Sequence, residues 1–266
     1  LSWTPDWLFA TEDFPKDSAK NIIKVDDLFT AELEKKELAE ESFKFDSVED
    51  RIKILFSSGT TGIPKAIPLT IAQLEARENA SKMYWPDSGA FLFTFRLTAI
   101  TSFQAFFANL NMNTTYLMPR EASHNLKLIK KHQVSQITAA PNHVLELLGL
   151  IERSGISTDT VKKVIVGGSK LSEDLAQRIE RVLGAELVNA YGSTEAGWVS
   201  SRMGYSGDSS NLGEITNGVT VKIFDEAQNE LQSTEAGLIG VKSNQCVSEY
   251  YLDPITTEKQ FNNGWF

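Results

Sequence analysis

The residues best suited to chemistry lie in one run, Phe56 to Pro68, FSSGTTGIPKAIP. Ser57, Ser58, Thr60 and Thr61 supply four small hydroxyls, Gly59 and Gly62 permit backbone conformations closed to other residues, and Lys65 adds a mobile positive charge. Successive N–H groups on such a loop form a nest for an anion, and a lysine neutralises charge as a compact cation. Phosphate suits that chemistry. The Walker-type P-loop needs Gly, four residues, then Gly-Lys and Ser or Thr. Here Pro64 stands at the second glycine and Ala66 follows Lys65, so that pattern is excluded. Taken alone, the run also reads as a small polar turn with no ligand.

The elements that must position this loop follow from hydrophobic pattern. From Lys53 to about Tyr191, short apolar runs (IKILF, AFLFTF, TTYLM, QITAA, VKKVIV, AELVNA) alternate with amphipathic segments such as TIAQLEARENASKMY and SEDLAQRIERVL. Strand and helix in alternation predict an α/β fold, a mostly parallel sheet with flanking helices. The loop then follows the strand IKILF and precedes a helix starting near Thr70, at the carboxyl end of a strand, where α/β sheets bind ligands. Ser123 and Ser172 stand where helix N-caps belong. After about Asn211 the pattern is strand-like without helices, in GVTVKIFDEAQNELQ and GLIGVKSNQC, which predicts a smaller antiparallel β subdomain. The organisation expected is an acidic lead-in over 1–50, containing the helical candidate DDLFTAELEKKELAEE, an α/β unit over 51–204 and a β-rich unit over 205–266.

Composition narrows the function classes. The 266 residues carry a formal charge of -9, which disfavours general affinity for nucleic acid or anionic membrane. No apolar run is long enough to cross a membrane and the start has no signal-peptide pattern, so a cytoplasmic location is expected. The one cysteine, Cys246, excludes an intramolecular disulfide and reads as a small strand residue. With His124, His132 and His143 scattered, it gives no zinc pattern. Neither a Gly-x-Ser-x-Gly elbow nor a cysteine–histidine pair is evident, so no covalent enzyme intermediate is indicated.

Further segments accompany the loop in order: VGGSKLS at Val166–Ser172, NAYGSTEAG at Asn189–Gly197, LGEITNGVTVKIFDE at Leu212–Glu226, and Gly237 to the end. Together they resemble the adenylate-forming superfamily, which includes acyl- and aryl-CoA ligases, luciferases and peptide-synthetase adenylation domains. The resemblance covers about Lys53 to Phe266.

What it implies is ATP-dependent activation of a carboxylic acid to an acyl-adenylate with release of pyrophosphate, then transfer to coenzyme A or a carrier-protein pantetheine. In that reading Ser57 to Lys65 close over the ATP phosphates, and Gly168, Ser169 and Lys170 lie against adenine and ribose. Asn189, Ala190, Tyr191, Gly192, Ser193 and Thr194 line the nucleotide, with Thr194 near the α-phosphate, and Glu195 helps hold Mg²⁺. Lys65, Thr194 and Glu195 are the catalytic candidates, while Trp198 and Phe103 are candidates for the acid pocket. Phe106 and Phe107 are further wall candidates, and Lys53, Arg96 and Arg202 are left without a role.

The chain departs from the family pattern in two places. Thr98 takes the place of an aromatic or histidine before the pocket helix, and Glu249-Tyr250 stands where Gly-Tyr is frequent. The resemblance also implies segments before Leu1 and beyond Phe266, with a ribose-binding aspartate and an adenylation lysine, so an internal part of a longer ligase is expected. The alternatives are an adenylation domain of a peptide synthetase, an acyl-AMP ligase, or a nucleotide-binding module without catalysis.

Overall fold

The structure, a computed structural model, describes residues 7–10, 21–24, 47–57, 64–85, 89–112, 114–118, 121–204 and 210–266. The chain divides into two compact units, residues 1–46 and 47–266. In the first, β1 (Trp7–Ala10) and β2 (Asn21–Lys24) pair in parallel. The helical candidate at 26–41 and residues 205–209, at the start of the expected β-rich unit, lie outside the described residues.

The second unit begins with β3 (Arg51–Ser57) and β4 (Lys65–Thr70), an antiparallel pair separate from the main sheet. This corrects the expectation that IKILF is a strand of the parallel sheet: the hydroxyl-rich loop joins two arms of a hairpin. The following helix, α1 (Ile71–Ser81), starts where expected because Thr70 and Gln73 cap each other reciprocally, at 3.2 and 3.0 Å. A 3₁₀ turn, Lys82–Tyr84, leads on to the main sheet.

That sheet has seven strands: β5 (Ala90–Phe93), β6 (Thr115–Leu117), β7 (Gln136–Ala139), β8 (Lys163–Gly167), β9 (Glu186–Ser193), β10 (Gly197–Met203) and β11 (Glu214–Ile215). Their spatial order is β11-β10-β9-β8-β7-β5-β6. From β6 to β9 all neighbours are parallel, and β10 and β11 add antiparallel strands at one edge. The helices between are α2 (Ile100–Met112), α3 (Ala122–His132), α4 (Pro141–Ser154) and α5 (Glu173–Leu183).

Strand alternation sends successive side chains to opposite faces, and both faces are covered. Leu92, Ile137, Val164, Val166 and Leu187 pack with the apolar stripes of α3, α4 and α5, while Phe91, Phe93, Ile165 and Val188 pack with Ala105 and Ala108 of α2 and with Tyr84 and Trp85. Ser172 caps α5 as expected, accepting from Leu175 N at 3.3 Å. Ser123 does not cap α3; Glu121 holds that position and Ser123 lies inside the helix, bonded to the Glu121 carboxylate at 3.0 Å.

Beyond the seven-stranded sheet, β12 (Thr220–Phe224), β13 (Glu230–Leu231) and β14 (Leu238–Lys242) form an antiparallel sheet in the order β13-β12-β14. Two expectations for this end change. Cys246 lies in the turn after β14, not on a strand, and a short helix, α6 (Pro254–Gln260), closes the chain under an Asp253 cap. Pro254 at the first helical position, directly after the aspartate, was its sequence signal.

Candidate functional site

Strand β8 ends on Gly167, just before Gly168, and its parallel neighbour β9 ends on Tyr191-Gly192-Ser193, so two adjacent carboxyl ends open on one side of the sheet. Close approach is built into these ends. A Cβ at Gly192 would stand 2.1 Å from the Gly197 carbonyl oxygen, and Gly168 has φ +86°. Ser193 Oγ accepts from Ala196 N at 3.0 Å and tightens the turn into β10. The hairpin end Leu55-Phe56-Ser57 borders the same space, a cavity of about 570 Å³.

Of the residues singled out from sequence, Ser57, Gly168, Ala190, Tyr191, Gly192, Ser193, Thr194, Glu195 and Trp198 all border this cavity. Ser169 and Lys170 are exposed in the turn after Gly168, outside the lining. Asn189 is half-buried within β9, paired with Val166 on one side and Arg202 on the other. Lys65, opposite Ser57 on the hairpin, points its Nζ at the Tyr250 ring, 4.8 Å from the centroid. Phe103 is not on the cavity wall: it packs edge-on against Phe107 beneath the Lys53 ammonium, which stands 3.8 Å from its ring centroid. Thr98 does border the cavity, and Phe106 packs against Phe107 and Tyr116. Ser58, Gly59, Thr60, Thr61 and Gly62 lie outside the described residues.

Behind the Thr194–Glu195 turn sits a residue the sequence reading passed over. Arg77 of α1 is fully buried, and its Nε and Nη2 donate to the carbonyls of Gln245 (2.9 and 2.8 Å), Thr194 (3.0 Å) and Glu195 (3.1 Å). Burial lowers its pKa to about 10, still well above neutrality, so the guanidinium is a cation inside the protein. An arginine on the buried stripe Leu74, Arg77, Ser81 was the available signal. Gln245 completes the clamp, accepting from Trp198 N at 3.0 Å and donating to Trp198 O at 3.3 Å.

Glu195 is buried, and its Oε1 accepts from the Tyr250 hydroxyl at 3.1 Å. Burial first, and the Glu195 charge second, push Tyr250 well above the usual phenol pKa, so it remains a donor. Mg²⁺ is commonly held by one or two carboxylates together with substrate phosphates. Glu195, a carboxylate on the cavity wall, fits that mode, and among the described residues no cluster of three or more acidic, His or Cys side chains forms an all-protein cage.

A second cleft, of about 950 Å³, shares Leu55, Phe56, Phe95, Thr98 and Ala99 with the first and carries Lys53, Arg96 and His143. Burial lowers the Lys53 pKa. His143 Nδ1 is held by Thr94 Oγ1 at 2.9 Å.

A family model described as AMP-binding enzyme matches residues 8–251. A long-chain-fatty-acid–CoA ligase of Bacillus subtilis is 27% identical over 235 residues, covering 84% of this chain and 41% of the relative. A 4-coumarate–CoA ligase of Arabidopsis thaliana is 28% identical over 236 residues, covering 82% and 42% respectively. The chain thus spans about two fifths of these curated relatives. Among solved structures, the O-succinylbenzoate coenzyme A synthetase of Bacillus subtilis in complex with AMP superposes with a TM-score of 0.78 at 21% identity, over 98% of this chain and 55% of that one. The likeness extends the shared fold across nearly all of the chain.

Proposed function

Because the chain belongs to the AMP-binding enzyme family, we propose that it carries the nucleotide and acid sites of an ATP-dependent ligase that converts a carboxylic acid to its acyl-adenylate and then to a coenzyme A thioester. The observation that carries this reading is the cavity itself. The ends of β8 and β9, the Thr194–Glu195 turn and the mouth of the hydroxyl-rich loop, far apart in sequence, border one space.

The chemistry required is attack of a carboxylate oxygen on the α-phosphorus of ATP, with pyrophosphate leaving. Such a step needs positioning and stabilisation of spreading negative charge more than covalent participation. Gly168 and the Ala190–Gly192 backbone form the wall for the purine and ribose, with Tyr191 beside the ring. Thr194 stands toward the α-phosphate, and the loop Ser57–Lys65 encloses the departing phosphates. Glu195 would hold Mg²⁺, which would supply neutralisation of phosphate charge. Tyr250 fixes the Glu195 carboxylate, and Arg77 fixes the turn that carries both Thr194 and Glu195 through their carbonyls. Trp198, Trp85, Ile100 and Ile165 give the acid an apolar bed. The adjoining cleft with Lys53 and Arg96 offers an anionic thiol carrier such as coenzyme A a basic approach to the adenylate.

The test is acid-dependent exchange of labelled pyrophosphate into ATP by the full-length protein, with a panel of fatty, aryl and amino acids. Exchange with one acid class, reduced by on the order of 10²-fold in Lys65→Ala and Glu195→Ala, is expected. Nucleotide binding without exchange for any acid would instead favour a binding module.

A further inference from the structure

One face of the main sheet leads from the strand ends at the cavity mouth down to a floor, and strand register sets its depth. Gly167 and Ala190 pair across β8 and β9, and the next row on the same face, two residues deeper, is Phe93, Thr138, Ile165 and Val188. The upper row is nearly bare, a glycine beside an alanine. Space requires this, since a Cβ on Gly167 would stand 3.0 Å from the Ala190 carbonyl oxygen. The lower row is filled, and Thr138 and Ile165 border the cavity from it. Two residues of strand make the drop between the rows about 7 Å.

Trp85 closes the space over that lower row. It borders the cavity while only 7% exposed, and it packs in one cluster with Phe93, Ile165 and Val188, its ring 5.5 Å from that of Phe93. Its indole N–H is fixed as well. The hydroxyl of Ser81, the fully buried last residue of α1, accepts from Trp85 Nε1 at 3.1 Å and from Gln104 Nε2 at 2.8 Å, and donates to the Arg77 carbonyl at 2.9 Å. One donor and two acceptor positions are all that a serine hydroxyl has. Gln104 belongs to α2 and also borders the cavity, so floor and helix wall are tied through one atom. A buried network satisfied in this way is rigid, and the indole does not swing aside to lengthen the space.

We propose that the acid activated at this site is compact, a single ring or a short chain, and that Trp85 sets the limit by closing the pocket one side-chain row below Gly167 and Ala190. This rests on the acid-activating reading of the same cavity. With the nucleotide at the strand ends, the acyl group has the depth of that one row. A single ring or a hexanoyl chain fits it, whereas an extended hexadecanoyl chain, with bonds of about 1.5 Å, exceeds it more than twofold. Surplus methylenes would have to displace Trp85 and the row beneath it, and a core packed at native density resists such insertion.

The experiment reads pyrophosphate exchange by the full-length protein with a graded set of acids: butanoate, hexanoate, octanoate, dodecanoate, hexadecanoate and benzoate. The expected result is a kcat/KM that is highest among the compact acids and at least about tenfold lower for hexadecanoate. Trp85→Leu keeps an apolar side chain in the cluster but removes the ring, and should raise the dodecanoate-to-hexanoate ratio several-fold, with urea unfolding to confirm that the variant is folded. Ile165→Val takes one carbon from the same floor and should move the ratio in the same direction, which keeps the inference testable if Trp85→Leu does not fold. Hexadecanoate used as well as the compact acids or better, or a ratio unmoved in the folded variants, overturns the inference while leaving acid activation standing. No exchange with any acid overturns the activation reading and this inference with it.

Discussion

Gly192→Ala places one methyl group where the structure has no room for it. Gly192 lies on β9 opposite Trp198, and the added Cβ would stand 2.1 Å from the Gly197 carbonyl oxygen, 3.1 Å from its carbon and 3.4 Å from Trp198 Cα. All three neighbours are backbone, so no rotamer change relieves the contact. The hairpin must open by more than about 1 Å to reach ordinary van der Waals separation. Overpacking of this kind costs about 1–3 kcal/mol. Opening also moves Thr194 and Glu195 away from Gly168 across the cavity, and a misplacement of about 1 Å can reduce catalysis on the order of 10²-fold. The control is Gly155→Ala at the end of α4, where φ is +62° and nothing lies within 4 Å of the added carbon. That variant bears only the left-handed backbone cost, about 1 kcal/mol, away from the cavity. Urea unfolding measures both losses, and titration with AMP separates them: Gly192→Ala should weaken nucleotide binding at least about tenfold and Gly155→Ala should not. Unchanged AMP affinity in a folded Gly192→Ala protein would refute the placing of the nucleotide against this hairpin.

Three further outcomes are expected. Thr70→Ala removes the side-chain half of the capping box, the bond accepted from Gln73 N, and should cost about 1 kcal/mol in urea unfolding, with Thr70→Ser largely restoring it. Leu148→Ala empties the fully buried centre of α4 against the sheet and should cost about 2–5 kcal/mol, the largest single loss among these variants. Asp253 is held below the usual aspartate pKa by its side-chain and backbone bonds with Thr256. Its contribution to stability is therefore full above the unfolded value of 3.8 and is lost as pH falls through the lowered folded value. Asp253→Asn should flatten that part of the acid-unfolding curve, and an unchanged slope would mean the cap contributes nothing.

Much of the fold was legible because its determinants are local. Short apolar runs such as the VIV of VKKVIV and amphipathic runs such as SEDLAQRIERVL identify buried strands and covering helices, since a strand covered on both faces and a helix with one apolar stripe each leave their own pattern. The Ser172 cap was readable for the same reason, as its bond spans three residues. Ser123 shows the limit, because the neighbouring Glu121 took the cap position.

Residue pattern alone encoded the alternation of strands and helices from β5 to β9 and the chemical character of the segments around the cavity, the hydroxyl-rich loop and NAYGSTEAG above all. Tertiary structure alone decided that IKILF leaves the main sheet for a hairpin, that Phe103 packs under Lys53 away from the cavity, and that Arg77 reaches Thr194 and Gln245, 117 and 168 residues further along the chain. Strand pairing and the partner of a buried charge depend on which distant backbones come to lie side by side, and no local pattern of residues encodes that contact.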